Sequence, residues 1–272
     1  MNNPFAKDVI SGLTSSSKYL PSKYFYDDAG SRIFQEIMNM PDYYLTNSEF
    51  EILSVQAKEI IDALNFKKPF NIVELGAGDG AKTFKLLEYL VNNDIEFYYV
   101  PIDISQGAMD ALTAALSEKL PKLSIHPRVG DYFEILSKEN VETDIPSLLL
   151  FLGGNIGNYV KEDAINLLQL FNENMKKGDG LLLGVDIKKN PLTIHKAYFD
   201  KYGITKRFNI NLLHRINKEF EGDFEIDDFD FFCNYNPDNG EVKSYIVSLK
   251  AQQVSLKKLG LTIDFNLSLI HI

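Results

Sequence analysis

Between about residue 58 and residue 200, short and nearly continuous apolar runs alternate with stretches whose apolar residues recur every three or four positions. The runs mark strands covered on both faces, and the recurrences mark amphipathic helices. The alternation therefore predicts an α/β fold with a doubly wound, mostly parallel sheet. Five strands are expected, at 71–75, 97–103, 123–130, 147–152 and 181–187. Between them, Phe84, Leu87, Leu90 and Val91 form one apolar stripe, Met109, Leu112, Leu116 and Leu120 a second, and Ala164, Leu167, Leu168 and Phe171 a third. All three are read as core.

The pattern changes on either side. Thr46-Asn47-Ser48-Glu49 reads as a capping box, with Tyr43 and Tyr44 just before it and a helix after it that sets Phe50, Leu53, Ala57, Ile60 and Leu64 on one face. After Asp200 a helical run carries Phe208, Leu212, Ile216 and Phe220, followed by an acidic segment at 221–230. Leu261, Ile263, Phe265, Leu267 and Leu269 alternate with polar residues, as in a strand buried on one face. These outer parts predict a smaller α+β subdomain, 1–55 with 201–272, covering the mouth of a sheet domain at 56–200. No low-complexity linker or internal repeat separates the two.

Composition narrows the function. Of 272 residues, 45% are hydrophobic and 24% charged, as in ordinary globular chains. The 28 Lys and Arg against 38 Asp and Glu leave a net charge of -10, which repels a nucleic-acid backbone. Cys233 has no cysteine to pair with, and His126, His195, His214 and His271 are too scattered for a ligand motif, so no metal is expected. The first twenty residues lack a basic start and an apolar run, and no apolar stretch is long enough to span a bilayer; a cytoplasmic protein without membrane partners is expected.

Candidate chemistry begins at Val73-Glu74-Leu75-Gly76-Ala77-Gly78-Asp79-Gly80-Ala81-Lys82, where a strand turns into a helix through three glycines. The loop meets the relaxed G-x-G-x-x-A dinucleotide fingerprint, and Asp103 at the end of the second strand is placed to accept from ribose hydroxyls. Taken alone, this does not separate a dinucleotide from another adenosine-containing cofactor. Glu74 before the first glycine, and Asp131-Tyr132 after the third strand, tilt the choice toward S-adenosylmethionine. A second cluster, Phe151-Leu152-Gly153-Gly154-Asn155-Ile156-Gly157-Asn158-Tyr159, follows the fourth strand, at the sheet edge where open α/β folds bind ligands. The uncharged amide of Asn158 suits an amine acceptor, and serves equally as a helix N-cap.

With these residues in hand, the chain resembles the S-adenosylmethionine-dependent histidine Nα-methyltransferases of ergothioneine biosynthesis. The resemblance runs through Leu20-Pro21-Ser22-Lys23-Tyr24-Phe25-Tyr26-Asp27 and Met40-Pro41-Asp42-Tyr43-Tyr44-Leu45-Thr46, a tyrosine-rich entry that generic methyltransferases lack. It continues through the glycine loop, Pro101-Ile102-Asp103-Ile104-Ser105, the second glycine cluster, Leu182-Leu183-Gly184-Val185-Asp186, Ala197-Tyr198-Phe199-Asp200 and Phe208-Asn209. It implies a class I methyltransferase, Rossmann-like, with Gly76, Lys82, Asp103, Asp131 and Tyr132 on the cofactor. It also implies that Tyr43, Gly153, Asn158 and Tyr198 line the amino-acid pocket, with Tyr43 and Asn158 nearest the chemistry and Tyr26 acting through water.

The implied reaction is trimethylation of L-histidine to hercynine by a monomeric enzyme. Family members continue past this position into a Thr-Glu-x-Ser-like motif that grips the imidazole, whereas this chain stops at Ile272. A truncated chain, of poor stability or prone to self-association, is the corresponding expectation. Two rival readings accompany it: a methyltransferase for another small amine or amino acid, and an S-adenosylmethionine-binding paralogue without catalysis. A nicotinamide dehydrogenase is a third.

Overall fold

The computed structural model describes residues 3–67, 69–131, 134–136, 145–267 and 269–271. Its first two helices start where a short polar side chain takes up free backbone N–H groups. Asn3 accepts from Phe5 and Ala6 at 2.9 and 3.3 Å to open α1 (Pro4–Thr14), and Asp27 accepts from Gly30 at 2.7 Å to open α2 (Asp28–Met38). α3 (Tyr44–Val55) and α4 (Ala57–Leu64) follow. The alternating stretch then comprises β1 (Phe70–Leu75), α5 (Thr83–Asn92), β2 (Phe97–Asp103), α6 (Gln106–Lys119), β3 (Ser124–Ile125), β4 (Arg128–Val129), β5 (Ser147–Phe151), α7 (Lys161–Asn174) and β6 (Gly180–Leu183). The remainder is α8 (Pro191–Tyr198), α9 (Ile204–Phe220), β7 (Phe229–Asn236), β8 (Glu241–Ser248), β9 (Gln252–Leu256), β10 (Leu261–Phe265) and β11 (Leu269–His271).

The chain divides into two units, Leu45–Asp186 and Met1–Tyr44 with Ile187–Ile272. The first limit differs from the expected residue 56 because α3 packs with the sheet: its Leu53 joins the core that contains Ile72 and Leu150. The second differs from residue 200 because α8 and the residue after it pack within the other unit, Tyr198 against Tyr43 and Phe199 against Phe231.

In the sheet unit the strands lie in the order β3-β2-β1-β5-β6, with β4 also on β2, and every pair is parallel. Side chains alternate between the faces. Phe70, Ile72, Leu148 and Leu150 face a core shared with Leu86, Leu87 and Leu90 of α5 and Met109, Leu112 and Leu116 of α6. Leu75, Leu149 and Phe151 face another, shared with Leu167 and Phe171 of α7. This is the doubly wound α/β arrangement that the alternating pattern predicts.

Several local expectations are corrected. The third strand is two short pieces, because Pro127 brings no N–H to the ladder between them. The fifth ends at Leu183; Gly184 N–H still donates to Phe151 O at 2.9 Å, but Val185 and Ile187 beyond it are exposed. Leu168 is 37% exposed, so the core stripe of α7 is narrower than its sequence pattern. The helix expected to start at the Thr46 capping box begins at Tyr44, and a break at Gln56 separates α3 from α4.

In the other unit α9 is the central helix, with Phe208, Leu212, Ile216 and Phe220 all buried as their four-residue spacing predicts. Phe208 meets Phe25 at 4.7 Å and Phe220 meets Phe5 at 5.1 Å between ring centroids. β7, β8 and β11 form one antiparallel sheet and β9 and β10 another. The single strand expected over 261–269 is therefore two, and Leu267 between them is exposed.

Leu150 is fully buried at the level of Glu74 on β1. Leu150→Ala is expected to cost about 2–5 kcal/mol, read as a lower denaturant midpoint at unchanged slope.

Candidate active site

At the carboxyl end of β1 the chain turns on Gly76, Gly78 and Gly80, with φ of 69°, 56° and 64°, a region that residues with a Cβ rarely enter. A Cβ on Gly80 would also stand 2.3 Å from Leu112 Cδ1, so the third glycine lets α6 pack against the loop. Asp103, the last residue of β2, holds this turn from the neighbouring strand. Its Oδ2 accepts from Gly78 N–H at 3.0 Å and its Oδ1 from Ser105 N–H at 3.0 Å. A carboxylate has about four lone-pair positions, so Asp103 keeps capacity for further donors.

Glu74 lies buried beneath the loop, accepting from Thr83 Oγ1 at 2.5 Å and from the Tyr99 hydroxyl. Burial pushes its carboxyl up to about 7, against the opposing pull of the Thr83 and Tyr99 hydrogen bonds and the nearby Lys82 charge. The same burial holds the Tyr99 hydroxyl protonated. This cluster ties β1, β2 and the start of α5 together.

The second glycine cluster follows β5. Gly153 and Gly154 are both left-handed, with φ of 78° and 66°, and lead into one 3₁₀ turn at Asn155–Asn158. The Asn155 amide nitrogen lies 3.7 Å from where a Cβ on Gly76 would stand and 3.5 Å from one on Gly153, so it sits between the two glycine loops. Gly153 N–H donates to the Glu49 carboxylate at 2.7 and 3.0 Å, and Lys82 pairs with the same carboxylate. The spacing of Glu49 from Thr46 matches a capping box, but its partners are Lys82 and Gly153.

Among the expected cofactor residues, Gly76, Lys82 and Asp103 thus come together on one edge of the sheet. Asp131 is exposed just beyond β4, and the adjacent Gly130 N–H donates to Asp103 O at 2.9 Å. Tyr132 lies outside the described residues. Gly153 adjoins the Lys82 ammonium, which would stand 3.3 Å from a Cβ there, and Asn158 is exposed at the end of its turn.

The expected aromatic residues belong to the other unit. Tyr43 is buried and meets Tyr198, the last residue of α8, edge to face at 6.1 Å. Phe34 touches Tyr43 at 6.3 Å and Tyr26 at 5.4 Å, and Tyr26 meets Phe208 at 5.5 Å. Burial, with a smaller push from Tyr198, raises the Tyr26 hydroxyl far above its ordinary range. It is therefore a hydrogen-bond donor and not a base. His195 lies against Phe199 at 5.2 Å, and His126 is exposed beside Ser124.

The family described as "Histidine-specific methyltransferase, SAM-dependent" matches residues 5–269. The histidine N-alpha-methyltransferase of Mycolicibacterium smegmatis is 34% identical over 263 residues, covering 95% of this chain and 79% of its own. Ergothioneine biosynthesis protein 1 of Schizosaccharomyces pombe is 28% identical over 84% of this chain and 30% of its own. The L-tryptophan methyltransferase of Psilocybe serbica is 27% identical over 94% and 78%.

The raised Glu74 carboxyl makes stability depend on pH. Its ordinary value is near 4.5 and its folded value about 7, so between these the unfolded chain has released a proton that the fold retains. Stability attributable to Glu74 is therefore greatest below the window and is lost as pH rises through it. Relative to Glu74→Gln, the wild type should lose about 3 kcal/mol across the window in urea titrations. A pH-independent difference would contradict this.

Proposed function

The chain belongs to the family of histidine-specific, S-adenosylmethionine-dependent methyltransferases, and on that premise we propose that it methylates the α-amino nitrogen of L-histidine three times, giving the betaine hercynine. The family match across nearly the whole chain carries this reading. The glycine loop supports it: among the described residues nothing stands within 4 Å of where a Cβ on Gly78 would lie, and Asp103 retains acceptor capacity beside that opening. These residues fit an adenosine whose ribose hydroxyls donate to Asp103.

In this reading Gly76 lets the backbone approach the cofactor, Lys82 borders it while paired with Glu49, and Asp131 and Tyr132 take the adenine end. When bound, S-adenosylmethionine supplies a methyl group on a positively charged sulfur. The family resemblance assigns Tyr43 and Tyr198 of one unit, Gly153 and Asn158 of the other and, through water, Tyr26 to the acceptor. The Asn158 amide holds the amine without protonating it. Tyr26 stays a phenol, so each amine proton leaves to water before attack. The chain's contribution is alignment and exclusion of bulk solvent.

The reading places the enzyme in the cytoplasm, acting on small molecules; among the described residues, no helix is long and apolar enough to cross a membrane. A second reading, the same chemistry on another amino acid, is favoured by the similarity to an L-tryptophan methyltransferase.

Isotope-labelled S-adenosylmethionine offered with histidine, tryptophan and a panel of small amines separates these readings. Stepwise addition of three labelled methyl groups to histidine is expected; label on another acceptor with none on histidine would overturn the histidine assignment. Asp103→Ala is expected to weaken S-adenosylhomocysteine binding about 10- to 100-fold in calorimetry, as follows from losing hydrogen bonds to a charged acceptor.

A further inference from the structure

Glu49 is a charged group at this edge of the sheet that the reaction as described leaves unused. Its side chain is 14% exposed and that of Lys82 21%, so both charges are largely withdrawn from water. A carboxylate in such a place persists only with its lone pairs occupied. Here one oxygen pairs with Lys82, at the start of the helix that follows the first glycine loop, and both oxygens accept from Gly153 N–H, in the second loop. Residue 184, just after β6, makes room for it: a Cβ on Gly184 would stand 2.3 Å from Glu49 Oε1. A single carboxylate from α3 thus reaches the carboxyl ends of β1, β5 and β6.

We propose that Glu49 is a positioning residue with two separable effects: its hydrogen bond holds the Gly153 loop for the acceptor, and its charge offsets Lys82 so that the site accepts a cationic cofactor. The proposal rests on the methyltransferase reading above. The hydrogen bond needs only an acceptor oxygen, which an amide supplies as well as a carboxylate. Offsetting Lys82 needs the full negative charge. Removing that charge leaves an ammonium beside the cofactor loop, and in a partly desolvated site one uncompensated charge disfavours a sulfonium over its neutral thioether product. Glu49 therefore biases the loop toward S-adenosylmethionine over S-adenosylhomocysteine.

Glu49→Gln and Glu49→Ala separate the two effects. Both variants are expected to lower the preference for S-adenosylmethionine over S-adenosylhomocysteine about tenfold, measured as the ratio of calorimetric dissociation constants. Glu49→Ala is expected to raise the acceptor KM about tenfold, while Glu49→Gln stays within about threefold of wild type. Equal KM in the two variants, or an unchanged cofactor preference in either, overturns the proposal. Should Glu49→Ala fail to fold, the cofactor preference of Glu49→Gln alone decides. A general loss of stability moves both dissociation constants together and leaves their ratio unchanged. If the wild type binds neither ligand, the methyltransferase reading itself fails; binding by the wild type with unchanged ratios in the variants defeats only the role of Glu49.

Discussion

Parallel pairing of β1 with β2 on one side and β5 on the other sets the geometry on which the candidate site depends. The register places Glu74 level with Pro101 and with Leu150, so the chain leaves all three strands at nearly the same height. Gly76, Asp103 and Gly153 follow those levels by two or three residues. Slipping β2 or β5 by one residue would exchange its two faces, driving Leu149 and Phe151 into the space of Leu148 and Leu150. The apolar cores on both faces, filled by α5 and α6 on one side and α7 on the other, hold that register.

Polar groups at this edge are committed to one another. Asp103 fastens the first glycine loop, Glu74 with Thr83 and Tyr99 secures the strand and helix beneath it, and Glu49 fastens the second loop and Lys82. Each glycine turn takes a left-handed conformation that costs chain entropy, so fixing it in advance reduces what a ligand must order on binding. Methyl transfer between a neutral amine and a sulfonium creates no new buried charge on the leaving side. Preset alignment suits it better than a strong acid or base, and the Tyr26 phenol, with its raised pKa, fits that division of labour.

In the other unit, aromatic packing takes the place of the sheet register. α9 supplies one buried apolar face, and Tyr26 and Tyr43 of the tyrosine-rich entry, with Phe34 of α2, pack with Phe208 and Tyr198. Edge-to-face ring pairs fix orientation as well as distance. The aromatic residues that the family resemblance assigns to the amino acid are therefore held by neighbouring rings.

By itself the sequence determined the parallel α/β class, four of the strand positions to within a few residues, the stripe of α9, and the glycine loop with Asp103. All of these are written in local periodicity or in residues whose backbone needs are specific. Tertiary structure alone decided the rest. Pro127 divides a strand because a ladder bond is missing, Leu168 faces outward because the cover of α7 is narrow, and Leu267 is exposed because the chain changes sheets there. Glu49 is the sharpest case: its spacing from Thr46 satisfies a local capping rule, yet its partners are Lys82 and Gly153, 33 and 104 residues further on. A charge with few neighbours in sequence finds its partners only when strands distant in the chain are laid side by side, and no periodicity records that choice.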